Sequence, residues 1–438
     1  MNRNLRILGI GLAALALAGC SKNKAINAPP VSGGSADFSR VASIGTSVSA
    51  GYESGGLVVH HQRKAFPYAF AQQVGAAYAI PSVTAEGLPP LLQIAAWTPP
   101  PNPKPVINNT GRVPGVPDNL AWPAPYNNMS VPGAVLFDVT SAARYGMAPF
   151  TFIVRGSTLP GTILDQVASL NPTFVTFEMG ANEVLGPASQ GSGTPVINAT
   201  TYSVLLGAAL DSLQALLPGV QGALFTVPDI TSLPFFTTIS PRLNAAGTCR
   251  VIGPGPAALA DGDLVLLTAG PNLATGTGVP IPCGGNGNPL PAAQVLPAAS
   301  VASIQAAVDG YNTAIRNQAT ARGWALVDLN GLLRQAATTG FTFQGQVYTS
   351  AFVKGGLISL DGIHPTDLAH GIICNALIEA VNEKFGSRIP LVNLADFATA
   401  TSSRAVPADG ALGMPVIENA DAVYGALFRW RGVFTPTP

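Results

Sequence analysis

Residues 38–51 read Phe-Ser-Arg-Val-Ala-Ser-Ile-Gly-Thr-Ser-Val-Ser-Ala-Gly. The run from Phe38 to Ile44 is short, apolar and stops at Gly45, so it is expected to be a strand that breaks into a tight turn. Small residues from Gly45 to Gly51 let backbone N–H groups approach whatever Ser47 holds. In an open parallel sheet, ligands gather beyond the carboxyl ends of the strands, and Ser47 falls there. A serine in a glycine-rich turn is more often a turn former than a nucleophile, so its chemistry depends on partners elsewhere.

Working outward, Ala134 to Val139, Thr173 to Glu178, Gly222 to Val227 and Trp324 to Val327 are further strand-like apolar runs. Between them, Tyr202 to Leu217, Ser300 to Arg322 and about Thr366 to Phe385 repeat apolar residues at helical spacing. Pro218-Gly219, Gly323 and Gly386 close the three helices. Strands alternating with helices predict an α/β fold with a mainly parallel sheet covered on both faces. One such domain is expected over residues 38–386. Two long insertions interrupt it, at about 52–126 and 233–297, and residues 387–438 read as a tail packed along the domain.

Composition narrows the function. The chain has 438 residues, 22 Lys+Arg against 22 Asp+Glu, and only 10% charged residues. A nucleic-acid binder needs an excess of cations to displace counterions from phosphates, so that class is excluded. Gly and Pro number 48 and 39, which places long irregular loops beside the core. Four histidines and four cysteines leave little material for a metal site, and none is assigned.

The N-terminus reads as an address. Arg3 and Arg6 precede the apolar run Ile7 to Ala18, too short for a comfortable membrane span. Leu17-Ala18-Gly19-Cys20 resembles the lipobox of bacterial lipoproteins, which implies removal of residues 1–19 and lipidation of Cys20. Ser21 stands where an Asp would favour inner-membrane retention, so the outer membrane is the expected destination. Residues 20–37 then form a polar Gly/Ser/Pro tether. In an oxidising compartment Cys249 and Cys283, which bracket one Gly/Pro/Asn-rich segment, are expected to form a disulfide. Cys374 reads as a buried helix residue.

The partners of Ser47 lie near the other end of the chain, in Asp361-Gly362-Ile363-His364-Pro365-Thr366. A serine nucleophile needs an imidazole to take its proton and a carboxylate to hold that imidazole in the right tautomer. One tight loop can supply both. Donors for an oxyanion are available in Gly180-Ala181-Asn182-Glu183, through the Asn182 amide, and in Val131-Pro132-Gly133-Ala134, through the Gly133 N–H. Glu178, at the end of an apolar strand, needs a partner that the sequence does not name.

Together these blocks resemble the SGNH, or GDSL, hydrolases. Gly45-Thr46-Ser47-Val48-Ser49 is similar to that family's Gly-Asp-Ser-Leu-Ser. The segment at Gly133 is similar to its second block, Gly180-Ala181-Asn182-Glu183 to its Gly-x-Asn-Asp, and Asp361 to Pro365 to its Asp-x-x-His-Pro. Thr46 and Glu183 each replace an Asp. The resemblance implies a three-layer α/β/α, flavodoxin-like fold with long loop insertions. It implies Ser47 as nucleophile, His364 as general base and acid, and Asp361 as its orienting carboxylate. The oxyanion hole would comprise the Ser47 and Gly133 N–H groups and the Asn182 side chain. The α/β-hydrolase alternative needs a Gly-x-Ser-x-Gly elbow, which is missing from this sequence.

The leading expectation is a carboxylic ester hydrolase, a serine esterase or lipase acting on lipid-like or other apolar acyl esters without a cofactor. A carbohydrate O-acetyl esterase and a non-catalytic surface-binding lipoprotein are the alternatives. Leu88 to Trp97 would either line an acyl pocket or act as a lid, or else form a surface loop packed on the core.

Overall fold

Near-continuous apolar runs suit strands buried on both faces, and four of them form the centre of the computed structural model, which describes residues 31–98, 104–398, 416–418 and 424. The principal strands are β1 (Val41–Ile44), β2 (Gln93–Trp97), β3 (Pro105–Asn108), β4 (Phe174–Phe177), β5 (Gln221–Phe225), β6 (Ala325–Val327) and β7 (Val416–Ile417). The central sheet has the order β1-β4-β5-β6, and every pairing in it is parallel.

Side chains alternate between two cores. Ile44, Val175, Phe177 and Leu224 face one layer, while Val41, Phe174, Ala223, Phe225 and Val327 face the other. The main helices are α1 (Ser47–Ala50), α2 (Val59–Gln62), α3 (Phe66–Gln73), α4 (Ile163–Ser169), α5 (Asn182–Ala188), α6 (Ala199–Leu216), α7 (Ala298–Arg322) and α8 (Asp367–Phe385). Helices α4, α6 and α7 cover the first face through Val167, Leu210, Leu213, Val308 and Ile315. Helices α3 and α8 cover the second through Phe66, Phe70, Leu377 and Val381. Each such buried side chain contributes roughly 1.5–3 kcal/mol, so the three-layer α/β/α sandwich follows from the alternation itself.

Local signals end the long helices where the sequence predicts. The Asn198 side chain accepts from the Thr201 N–H at the start of α6. Gly323 and Gly386 take left-handed conformations after α7 and α8. Cys374 is buried in α8, which pushes its thiol well above the ordinary range.

One expected strand is something else. Leu136–Val139 forms a single 3₁₀ turn, because the Asp138 carboxylate takes the Val135 N–H (2.8 Å) and pairs with Arg144 (3.0 Å). The strand-like stretch lies just before it. Residues 127–131 run parallel along the outer edge of β1, with Ser43 N–H donating to Asn127, Met129 N–H to Ser43 and Val131 N–H to Gly45.

Both insertions carry structure. The first holds α2, α3 and a ladder in which β2 pairs antiparallel with β3. From the tail, β7 joins that ladder parallel to β3. The second contains a short antiparallel pair, Leu264–Val265 with Val295–Leu296, and the bonded pair Cys249–Cys283. Among the described residues no helix is long and apolar enough to cross a membrane. Residues 1–19, Cys20 and most of the tether lie outside the described residues.

Candidate active site

Gly45 brings β1 to its turn so tightly that a Cβ there would sit 2.5 Å from Ser49 Oγ. Ser47 opens α1 directly beyond it, and Gly51 closes that single turn with φ 77°. The Ser47 side chain is 4% exposed. On both sides of it, Thr46 and Ser49 are held from just beyond β4: Glu178 accepts from the Thr46 N–H (3.0 Å), the Thr46 hydroxyl (2.9 Å) and the Ser49 hydroxyl (2.9 Å). This supplies the partner that the sequence did not name for Glu178. Burial pushes the Glu178 carboxyl above its ordinary value, while these donors pull the other way.

The second half of the site is the loop before α8. Ser359 N–H donates to the His364 carbonyl (2.8 Å), which folds residues 359–364 into a tight turn. Gly362 has φ 74°, and a Cβ there would meet Leu267 at 2.7 Å. Its carbonyl accepts from Phe235 N–H (2.9 Å), so the second insertion packs directly against this loop.

The turn brings three side chains into line. Ser47 Oγ lies 2.8 Å from His364 Nε2, and His364 Nδ1 lies 2.8 Å from Asp361 Oδ2. Asp361 is fixed from several directions. Its Oδ1 accepts from the Ser359 hydroxyl and from the Ile363 and His364 N–H groups, and its Oδ2 also accepts from Gly55 N–H (3.0 Å). Burial alone would raise its carboxyl. The His364 charge and these hydrogen bonds outweigh it and hold the carboxyl below the ordinary value. Tyr52 packs its ring 4.7 Å from that of His364. Tyr424, from the tail, donates to the Asp361 carbonyl (2.7 Å).

The remaining histidines do not reach Ser47. His60 is exposed, His61 lies against Glu53 and Asp367, and His370 is buried in α8, where burial drives it down to about 4.

Asn182 begins α5 just beyond β4, and one amide N–H donates to the Ala134 carbonyl (2.7 Å). That bond, with Val131 N–H on Gly45, places the Gly133 segment beside the β1 turn. Gly133 has φ 78°, a conformation that favours glycine. Glu183, next to Asn182, is fully buried and accepts from Leu136 N–H (2.6 Å). Burial pushes its carboxyl up to about 7.

Ser47, His364 and Asn182 share the wall of a cavity of about 110 Å³, otherwise lined by apolar side chains such as Leu185, Ile230, Leu333, Phe341 and Ile373. Residues 88–97 are not part of this wall. Their strand portion, β2, lies half-exposed on the β3 ladder, while Leu91 and Leu92 just before it are buried.

No protein-family model and no curated protein matches this sequence. Among solved structures it is similar to a protein described as a GDSL-like lipase from Parabacteroides merdae, at 11% identity, covering 80% of this chain and 97% of that one with a TM-score of 0.35. An extracellular lipase from Streptomyces rimosus aligns at 12% identity, 78% and 98% coverage and TM-score 0.35. An acetyl xylan esterase aligns at 13%, with 78% and 100% coverage and TM-score 0.32.

Proposed function

We propose that this protein is a serine ester hydrolase using Ser47, His364 and Asp361. The observation that carries the reading is the unbroken line of two 2.8 Å contacts, Ser47 to His364 to Asp361, beside an apolar cavity. Ser47 Oγ would attack the ester carbonyl as its proton passes to His364 Nε2. Asp361 would keep His364 Nδ1 protonated and stabilise the imidazolium. The charge arising on the carbonyl oxygen would be met by the Ser47 and Gly133 N–H groups and the Asn182 amide. On collapse, His364 returns the proton to the leaving alcohol, and water, activated by the same imidazole, hydrolyses the acyl-enzyme. These steps need no cofactor.

The cavity supports an apolar acyl group of modest size. At about 110 Å³ it is smaller than the roughly 150 Å³ void that takes up benzene. We therefore place short acyl chains ahead of long lipid chains. Assay of the protein and its Ser47→Ala variant on p-nitrophenyl esters from acetate to palmitate tests both statements. Turnover should vanish in the variant and favour butyrate over palmitate. Equal rates in the two proteins would refute the nucleophile, and a palmitate optimum would refute the size limit.

The lipobox-like Leu17-Ala18-Gly19-Cys20 supports a second proposal, that the enzyme is held at the outer membrane by lipid on Cys20. Palmitate labelling in a Gram-negative host should mark the protein and fail to mark Cys20→Ser, and outer-membrane fractions should contain only the former.

A further inference from the structure

Behind the loop that carries His364, the described residues bring together Glu53, His61 and Asp367, each offering one donor atom within 4.8 Å of the others. Their side chains are about 1% exposed. His61 Nδ1 lies 2.8 Å from Asp367 Oδ1 and 3.1 Å from Glu53 Oε2. A single Nδ1 proton serves one carboxylate well, not two, and Glu53 otherwise meets Asp367 itself, so two acidic side chains face one another in a buried setting. A buried carboxylate left in that state is costly. We propose that Glu53, His61 and Asp367 bind a divalent transition-metal ion, Zn²⁺ or Mn²⁺.

The spacing suits such an ion. With metal–donor distances of about 2.1 Å, neighbouring ligands around it stand roughly 3.0–3.4 Å apart; His61 Nδ1 stands 2.8 and 3.1 Å from its two carboxylates, and all three donors lie within 4.8 Å of one another. Two carboxylates balance its charge, and neutral imidazole nitrogen with carboxylate oxygen favours Zn²⁺ or Mn²⁺ over Ca²⁺, which takes oxygen alone. Counting histidines and cysteines understates a site whose donors are mostly carboxylates. The ion's place also gives it a task. Glu53 precedes Ser54 and Gly55, whose N–H groups hold Ser359 and Asp361, and Asp367 follows His364 by three residues. The ion would therefore tie the first insertion to the loop bearing Asp361 and His364, as a structural clamp remote from the ester.

Calorimetric titration of the EDTA-stripped full chain with ZnCl₂ or MnCl₂ tests this, with melting temperature as a second readout. One equivalent should bind and raise the melting temperature, and Glu53→Gln should weaken binding at least ~10-fold. Circular dichroism establishes that each protein is folded. No stoichiometric uptake by the folded wild type would overturn the site, in favour of a protonated Glu53 donating to Asp367. Uptake unchanged in Glu53→Gln, or abolished instead by His60→Ala, would overturn it by placing the ion elsewhere. Ester hydrolysis enters none of these readouts.

Discussion

Thr46 hangs from Glu178: one carboxylate just beyond β4 takes both the N–H and the hydroxyl of the residue that precedes Ser47. The sequence distance between them is 132 residues, so the position of Ser47 depends on the register of β1 against β4. Thr46→Val removes one of the two donors while preserving shape. It should cost about 1–3 kcal/mol in urea unfolding and lower kcat more than it raises KM. Glu178→Ala should cost more than Thr46→Val, since it leaves both Thr46 and Ser49 donors without their acceptor.

Asp361→Asn should preserve the fold and reduce kcat by about 10⁴, as loss of the orienting carboxylate does in other serine triads. Acid unfolding supplies an independent check. The native carboxyl is held below its ordinary value, so the unfolded chain takes up this proton first as pH falls. The stabilisation is present above the ordinary value of about 3.8 and is lost as pH drops through the lower native value. The variant should lack that part of the acid slope.

Glu183 has the opposite sign. Its native carboxyl, raised to about 7 by burial, keeps a proton that the unfolded chain gives up near its ordinary value of 4.5. Stability should therefore fall as pH rises from about 4.5 to about 7. Glu183→Gln, with no proton to release, should flatten that part of the profile in calorimetric melts run at several pH values.

Tyr424→Phe leaves the Asp361 carbonyl without the hydroxyl that it meets in a buried setting. A stability loss of about 1–3 kcal/mol is expected, with a fall in kcat at near-constant KM because the loop, not the acyl cavity, is disturbed. Unchanged kcat would restrict this contact to holding the tail.

Much of the architecture was legible because its strands are buried on both faces. Val41–Ile44, Phe174–Phe177, Gln221–Phe225 and Ala325–Val327 all lie inside, or within one residue of, apolar runs bounded by polar or glycine residues. The same cue failed at Ala134 to Val139. Six residues carry too little periodicity to separate strand from turn, and the deciding contact, Arg144 on Asp138, is ionic. Ser47, His364 and Asp361 announced themselves through spacing and residue type, and the structure places them in hydrogen-bond contact. The partners of Glu178, and the grouping of His61 with Asp367, span 129 to 306 residues of chain. Such long-range contacts are made by the sheet's topology and leave no local pattern.

The joining of β7 to β3 and of Tyr424 to Asp361 has a bearing on timing. A ribosome releases His364 317 residues after Ser47, and Tyr424 63 residues after Asp361. The loop that would arm the serine is thus secured well after the serine itself has been made. A growing chain would carry its nucleophile unarmed through the 317 residues that separate it from His364, and a fragment cut short before Tyr424 would lack that fastening.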